Sequence, residues 1–358
     1  MPSAFLWPVL VPSALRAPAP VNLGVRQHNM SALTLTYLNL NGVPSHTAPE
    51  IAQTFFWRDP QGTWTPSQDN HILEIENVCV NLHDALAARI FGSNNAYWDF
   101  LQVAPEFLSS AGMNSECPIT KEHFSILLPR LPEHLPINKA LYLYDCRKLV
   151  SSIQECSKEV LQLQGEFYQV LNLEPLFYPE IEEQDGVRWV TSPAVTKAFA
   201  LLSFIYIRLH SLLDYATKLA IEVENLKTDF SKYPRLAAKN SLYSDRKRVS
   251  FNGKVGTLFE KCRDITEVET VRNHIIHDGL IDDIPKAYRI IKNGACIEKY
   301  ILFPDRCNEG RFESFGNRNL FYGREDKINL RLPALVSNFQ NRLAVTLQPL
   351  LEQLRSAN

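Results

Sequence analysis

Residues 194–226 read AVTKAFALLSFIYIRLHSLLDYATKLAIEVENL. Within them Ala198, Leu202, Ile205, Leu209, Leu212, Ala216, Leu219, Val223 and Leu226 recur at alternating steps of four and three. That spacing predicts a long helix from about Ala194 whose apolar seam packs against another helix at a shallow angle, as in a bundle. A dimerising coiled coil is the alternative reading of the same seam. Asp214 lies off it, beside Tyr215 and four residues before Lys218, the spacing of a solvated ion pair on one helix face.

Working outward, a second periodic stretch spans Asn138–Asn172, with Leu143, Cys146, Val150, Ile153, Cys156, Val160, Leu163, Phe167 and Val170 in steps of three or four. Pro175 and Pro179 end it, and Gln184-Asp185-Gly186 form a turn. Earlier, a short helix is predicted from Val78 to Phe91, closed by Gly92. Between these two helices the chain is interrupted by Pro118, Pro129, Pro132 and Pro136. Residues 33–40 alternate ahead of an Asn41-Gly42 turn, and the stretch from Trp57 to Pro66 reads as loop.

Toward the C-terminus, Ile265, Val268, Val271 and Ile275 mark a helix, and Tyr288–Lys292, Asn293-Gly294 and Ala295–Phe303 read as a β-hairpin. A loop rich in Gly, Asn and Arg runs from Pro304 to Gly323. A last helix is expected to start near Pro333 at a first-turn position, with Val336, Phe339, Leu343, Leu347, Leu350 and Leu354 on one stripe. The fold class is therefore mainly α, with residues 191–358 a helical domain carrying a hairpin insertion and residues 30–190 an α-rich region. Residues 1–29 are rich in Pro, Ala, Val and Leu and read as a disordered tail or as sequence ahead of a true start at Met30, rather than as a targeting segment.

A chain of 358 residues exceeds one average domain. Its net charge of −2 excludes a general nucleic-acid coat protein, so any RNA contact must be local. Seven scattered cysteines without a C-x-x-C pair suit a reducing compartment, which points to the cytoplasm. The apolar stretches are short and broken by charge, so no membrane span is expected.

The chemistry concentrates in Arg272-Asn273-His274-Ile275-Ile276-His277-Asp278-Gly279. Arg272 supplies a permanent forked cation matched to phosphate oxygens, and His277 exchanges a proton near neutral pH. Of nine histidines, only His277 has an arginine five positions before it. Gly279 is placed to end the helix with His277 in its last turn. Asn273 shares a face with His277, while Arg272 lies about 140° round an α-helix and must curl to join them. The alternative reading makes Arg272 a solvated helix residue and His277 a C-terminal cap. His274 and His277 are spaced like metal ligands, but no third ligand follows at a diagnostic distance, and neither a metal nor another cofactor is expected. Between 227 and 256 the chain turns basic, with Lys232, Arg235, Lys239, Arg246, Lys247, Arg248 and Lys254 among Tyr233, Tyr243 and Phe251. This segment is either a solvated loop or a surface for RNA phosphates and unpaired bases.

With this motif on a bundle helix, residues 190–355 resemble the HEPN superfamily, all-α proteins recurrent in toxin–antitoxin, antiphage and RNA-processing systems. The resemblance rests on the Arg-Asn-x3-His form at 272–277, on Asp278-Gly279 after it, and on Leu212-Leu213-Asp214-Tyr215-Ala216 in the preceding helix. It implies a metal-independent endoribonuclease with a site shared across a homodimer. In that scheme Arg272 steadies the phosphorane, Asn273 orients the phosphate or the histidine, and His277 is the acid or base. Asp214 and His274 would be supporting residues, and an antitoxin or regulatory protein a partner. A silent helical scaffold for RNA, a nucleotide or a protein is the alternative function.

Overall fold

An apolar seam needs other helices to cover it. A computed structural model describes residues 35–50, 52–177 and 184–356. The expectations for residues 1–29 and for Pro179 lie outside them. In chain order the elements are β1 (Leu38–Asn39), β2 (Phe55–Arg58), β3 (Trp64–Pro66), α1 (Ile72–Phe91), α2 (Asn94–Val103), α3 (Phe107–Ser110), α4 (Lys121–Leu127) and α5 (Ile137–Leu173). They continue with β4 (Gly186–Val190), α6 (Pro193–Glu224), α7 (Arg263–Asn273), β5 (Ala287–Lys292), β6 (Ala295–Tyr300) and α8 (Ile328–Ser356). The protein is mainly α.

The seam of α6 is buried from Ala198 to Val223, and α5 lies along it. Helix α1 packs on α5 and α8, while α7 packs on α6 and α8. Because α6 is covered on several sides, Val195, Leu201, Leu213, Ala220 and Ile221 are buried as well. This explains why α6, alone among the described helices, is long and apolar enough by composition to cross a bilayer. A core helix wrapped by neighbours needs the same composition as a membrane span.

Thr36–Asn358 form one compact unit, within which the division expected at 190/191 falls. Strand β4, on one side of that point, pairs antiparallel with β5 on the other. The hairpin β5–β6 is thus the larger part of a three-stranded sheet in the order β4-β5-β6. Its turn has positive φ at both Asn293 and Gly294, as a two-residue hairpin of this twist requires. The Asp185 carboxylate accepts both turn N–H groups, at 2.9 and 3.1 Å. Burial acts only weakly against these hydrogen bonds, which hold the Asp185 pKa below the ordinary aspartate range.

The first sheet, β1-β2-β3, packs on α5 where Phe56 stacks on Tyr168 at 4.4 Å. Trp57–Pro66, expected to be loop, holds most of the β2–β3 hairpin, which begins at Phe55. Gly165 makes this docking possible: a Cβ there would overlap the Trp64 carbonyl. Helix α8 starts at Ile328, five residues before Pro333, which therefore sits inside the helix rather than in its first turn. A proline cannot donate to the carbonyl four residues back. Here that carbonyl, on Asn329, accepts the Tyr168 hydroxyl instead. The Asn329 side chain also accepts from the Ile301 N–H at 3.1 Å and donates to Leu40 at 2.6 Å. One buried asparagine thereby joins α8 to both sheets.

The proline-interrupted stretch holds three short helices absent from the sequence expectation. Ser93 caps α2 at 3.1 Å and Thr120 caps α4 at 3.2 Å, both through side-chain oxygens. Replacing Gly165 with alanine is expected to lower stability by about 1–2 kcal/mol, because overpacking outweighs the gain in helix propensity. Denaturant titration of Gly165→Ala measures it, and an increase would show that Trp64 yields.

Candidate active site

Helix α7 buries Ile265, Val268 and Val271, as its period requires, and with them the acidic Glu267. The Glu267 carboxylate accepts from Tyr206 of α6 at 2.5 Å, from Arg331 of α8 at 2.8 Å, and from Arg306 of the loop after β6. Arg306 and Arg331 also reach Asp326, so two guanidiniums meet two carboxylates with no net charge. Phe303 stacks on Tyr206 at 5.7 Å and lies 5.3 and 5.4 Å from the two guanidiniums. These contacts fix the inner face of the helix that carries the motif on its outer face.

Past Asn273 the winding changes. Residues His274–Asp278 form a π turn, and the Gly279 N–H donates to the His274 carbonyl at 3.0 Å, five residues back. An α-helix through His277 was expected. The difference centres on His274, which is buried. Its Nε2 is 3.0 Å from the Leu280 carbonyl, its Nδ1 is 3.4 Å from the Asn319 amide, and its ring meets Phe312 edge-on at 5.5 Å. Because the Leu280 carbonyl can only accept, Nε2 carries the hydrogen, while Nδ1 faces both the Asn319 amide and the Asp278 carboxylate, the latter at 3.5 Å. His274 is thus a structural pin, its two nitrogens engaged within the protein.

The π turn alters the geometry of the motif. An i→i+5 ladder turns less per residue than an α-helix, so over His274–Asp278 it narrows the angle of about 140° that an α-helix would set between Arg272 and His277. Arg272 is half-buried, and its Nη1 donates to the Asn273 Oδ1 at 2.9 Å. That leaves the Asn273 amide hydrogens free to donate outward. Asn273 and His277 are exposed. Both main readings of the stretch, reactive set and solvated helix end, start from this same exposure.

Asp214 does not join Arg272. Its Oδ1 accepts the Tyr243 N–H at 2.7 Å and its Oδ2 lies 3.6 Å from the His210 Nδ1. Burial pushes its pKa up, but the hydrogen bonds from His210 and Tyr243, with Lys218 nearby, outweigh it and hold the carboxyl below the ordinary aspartate range. Lys218 acts at a distance rather than as the expected ion pair. The role of Asp214 is to anchor the basic segment.

Two more carboxylates at the end of α6 do the same. Glu222, buried, accepts the Tyr142 hydroxyl at 2.5 Å and the Ala238 N–H at 2.9 Å. Glu224 accepts from the Ser250 N–H and hydroxyl. Held this way, residues 243–248 form a short 3₁₀ helix. Arg246 leaves it over the Tyr243 ring at 4.1 Å and lines a cleft of about 270 Å³ with Lys261, Glu269, Asn273 and Arg311. Lys239 and Arg248 line a separate cleft with Arg235, while Lys247 and Lys254 are exposed and line neither. Lys261 and Arg311 were not singled out in the sequence. Only the fold brings these isolated cations to the cleft at Asn273.

Comparison with family models, with curated proteins and with solved structures finds no match for this chain.

Substituting Glu267 with alanine leaves the buried Arg306 and the half-buried Arg331 with Asp326 as their one shared carboxylate and is expected to cost about 3–5 kcal/mol in a denaturant titration. The pH response of Glu222 has a defined sign. Burial raises its pKa above the glutamate value of 4.5, and the Tyr142 and Ala238 hydrogen bonds only partly oppose that. The folded state therefore holds this proton more tightly than the unfolded chain. Its contribution is fully present below pH 4.5 and is lost as pH rises through the folded pKa. The stability of the native chain relative to Glu222→Gln should accordingly fall over that window, and an opposite slope would contradict the assignment.

Proposed function

We propose that this protein is a metal-independent endoribonuclease of the HEPN type, acting in the cytoplasm as a toxin, antiphage or RNA-processing effector. The observation that carries the reading is the π turn between Arg272-Asn273 and the exposed His277, with Arg272 hydrogen-bonded to Asn273 and Asn273 lining a cationic cleft. The packing of α5 along α6, with α7 and α8 alongside, supports a helical bundle around the motif helix, α5 coming from outside residues 190–355.

In this mechanism the ribose 2′-oxygen attacks phosphorus, the bond from phosphorus to the 5′-oxygen breaks, and the products are a 2′,3′-cyclic phosphate and a 5′-hydroxyl. Arg272 balances the charge that builds on the phosphorane oxygens. The free amide hydrogens of Asn273 hold a non-bridging oxygen. His277 removes the 2′-hydroxyl proton or returns one to the leaving oxygen, and the same residue of a second copy performs the other task. Exposed apolar side chains around it, Ile276 at 48%, Leu280 at 62% and Ile284 at 59%, favour such self-association. An antitoxin or regulatory protein covering the same face would silence the site.

Cleavage of mixed cellular RNA in EDTA tests the assignment. The native chain is expected to yield cyclic-phosphate ends, and Arg272→Ala and His277→Ala to lose at least about a hundredfold in rate, as removal of a transition-state donor or an acid–base group does. Cleavage that survives both substitutions overturns the site. Intact RNA with a folded native dimer turns the reading to a silent scaffold.

A further inference from the structure

We infer that Arg235, Lys239 and Arg248 form a second phosphate-binding cleft, which holds the RNA backbone away from the scissile bond and makes long strands better substrates than short ones. The inference rests on the ribonuclease reading for the identity of the polyanion.

The 3₁₀ helix is what divides the cations. In 3₁₀ winding, residues three apart eclipse, so Asp245 and Arg248 share one side while Arg246 takes another. The side with Asp245 and Arg248 opens on a cleft of about 330 Å³ that also holds Arg235, Lys239 and Ser241. The side with Arg246 opens on the cleft at Asn273. A strand that passes over this short helix meets both.

The charge in the second cleft is unspent. Arg235, Lys239 and Arg248 are exposed and make no ion pair or side-chain hydrogen bond among the described residues. The one acid there, Asp245, already accepts the Leu242 N–H at 2.9 Å. Three cations face one occupied carboxylate in a chain whose net charge is −2. Such a local excess attracts polyanions. The cleft is also built rather than draped: Glu222 holds Ala238, between Arg235 and Lys239, and Asp214 holds Tyr243, at the start of the 3₁₀ helix. Phosphate contacts of this kind position a strand without reading its bases.

Binding is measured in a His277→Ala background, so that RNA stays intact, with single strands of about 4 and about 16 nucleotides, the span of site sizes for such grooves. Adding Arg235→Ala, Lys239→Ala and Arg248→Ala is expected to weaken the long strand about a hundredfold at about 0.1 M salt and to lower its log–log salt slope by about 2. The short strand should bind as before, and its cleavage by the triple variant with His277 intact should be unchanged. A DNA strand of the long length should lose affinity equally, since backbone phosphates are the ligand.

Unchanged affinity for the long strand overturns the proposal, and so does an equal loss for both lengths, which would indicate a general field. Inorganic pyrophosphate that binds the cleft without displacing RNA also overturns it. Length-dependent binding without any cleavage by the native chain would leave the cleft standing and sink the ribonuclease chemistry. Cleavage with binding indifferent to the three substitutions would do the reverse.

Discussion

A single carboxylate sealed from water, that of Glu267, takes hydrogen bonds from α6, from α8 and from the loop that comes after β6. Taking one ionised group out of water costs several kcal/mol unless its lone pairs are filled. Here that cost is met by placing Tyr206, Arg306 and Arg331 at fixed points around α7. Asp326 then balances the second guanidinium. The two carboxylates and two guanidiniums balance only together, so the elements that bear them have one relative arrangement. Replacement by apolar side chains could stabilise the core as well, but it would not dictate the position of the irregular 304–326 segment.

That positioning reaches the outer face of α7 through the same loop. Arg306 anchors its beginning and Asp326 its end, and between them Phe312 and Asn319 close over His274. With the His274 ring held inward, the backbone widens into a π turn and the following residues are carried outward. The exposed placement of His277 past Asn273 follows from this chain of contacts. The basic segment is set by a separate group of carboxylates, Glu222, Asp214 and Glu224, all in the second half of α6. A helix that reads as pure core thus also orders the charged surface above it.

Periodicity made the long helices legible. The stripes of α5, α6 and α8 are buried nearly residue for residue, and α5 runs one residue past its expected limit at each end. The Asn293-Gly294 turn was equally readable, because few residues other than glycine and asparagine tolerate positive φ. Elements without a strong period were not. Helices α2 to α4 were hidden among prolines although Ser93 and Thr120 were present as caps. Strands β2 and β3 are too short to alternate convincingly, and β4 is recognisable only from its partner β5. Pro333 misled because the usual place for a helical proline is the first turn, and no local signal announces that Tyr168 will satisfy the carbonyl it strands.

By itself the sequence determined a mainly α protein, the long helices of its core, the hairpin turn, and the chemical identity of Arg272, Asn273 and His277. Those features depend on neighbours a few residues apart, through repeat spacing, backbone preference and side-chain type. Tertiary structure alone decided the π turn, the confinement of His274, the diversion of Asp214 from Arg272 to Tyr243, and the sorting of scattered cations into two clefts. Each of these joins groups far apart in the chain. Their energy comes from burial and long-range pairing, which local spacing does not encode.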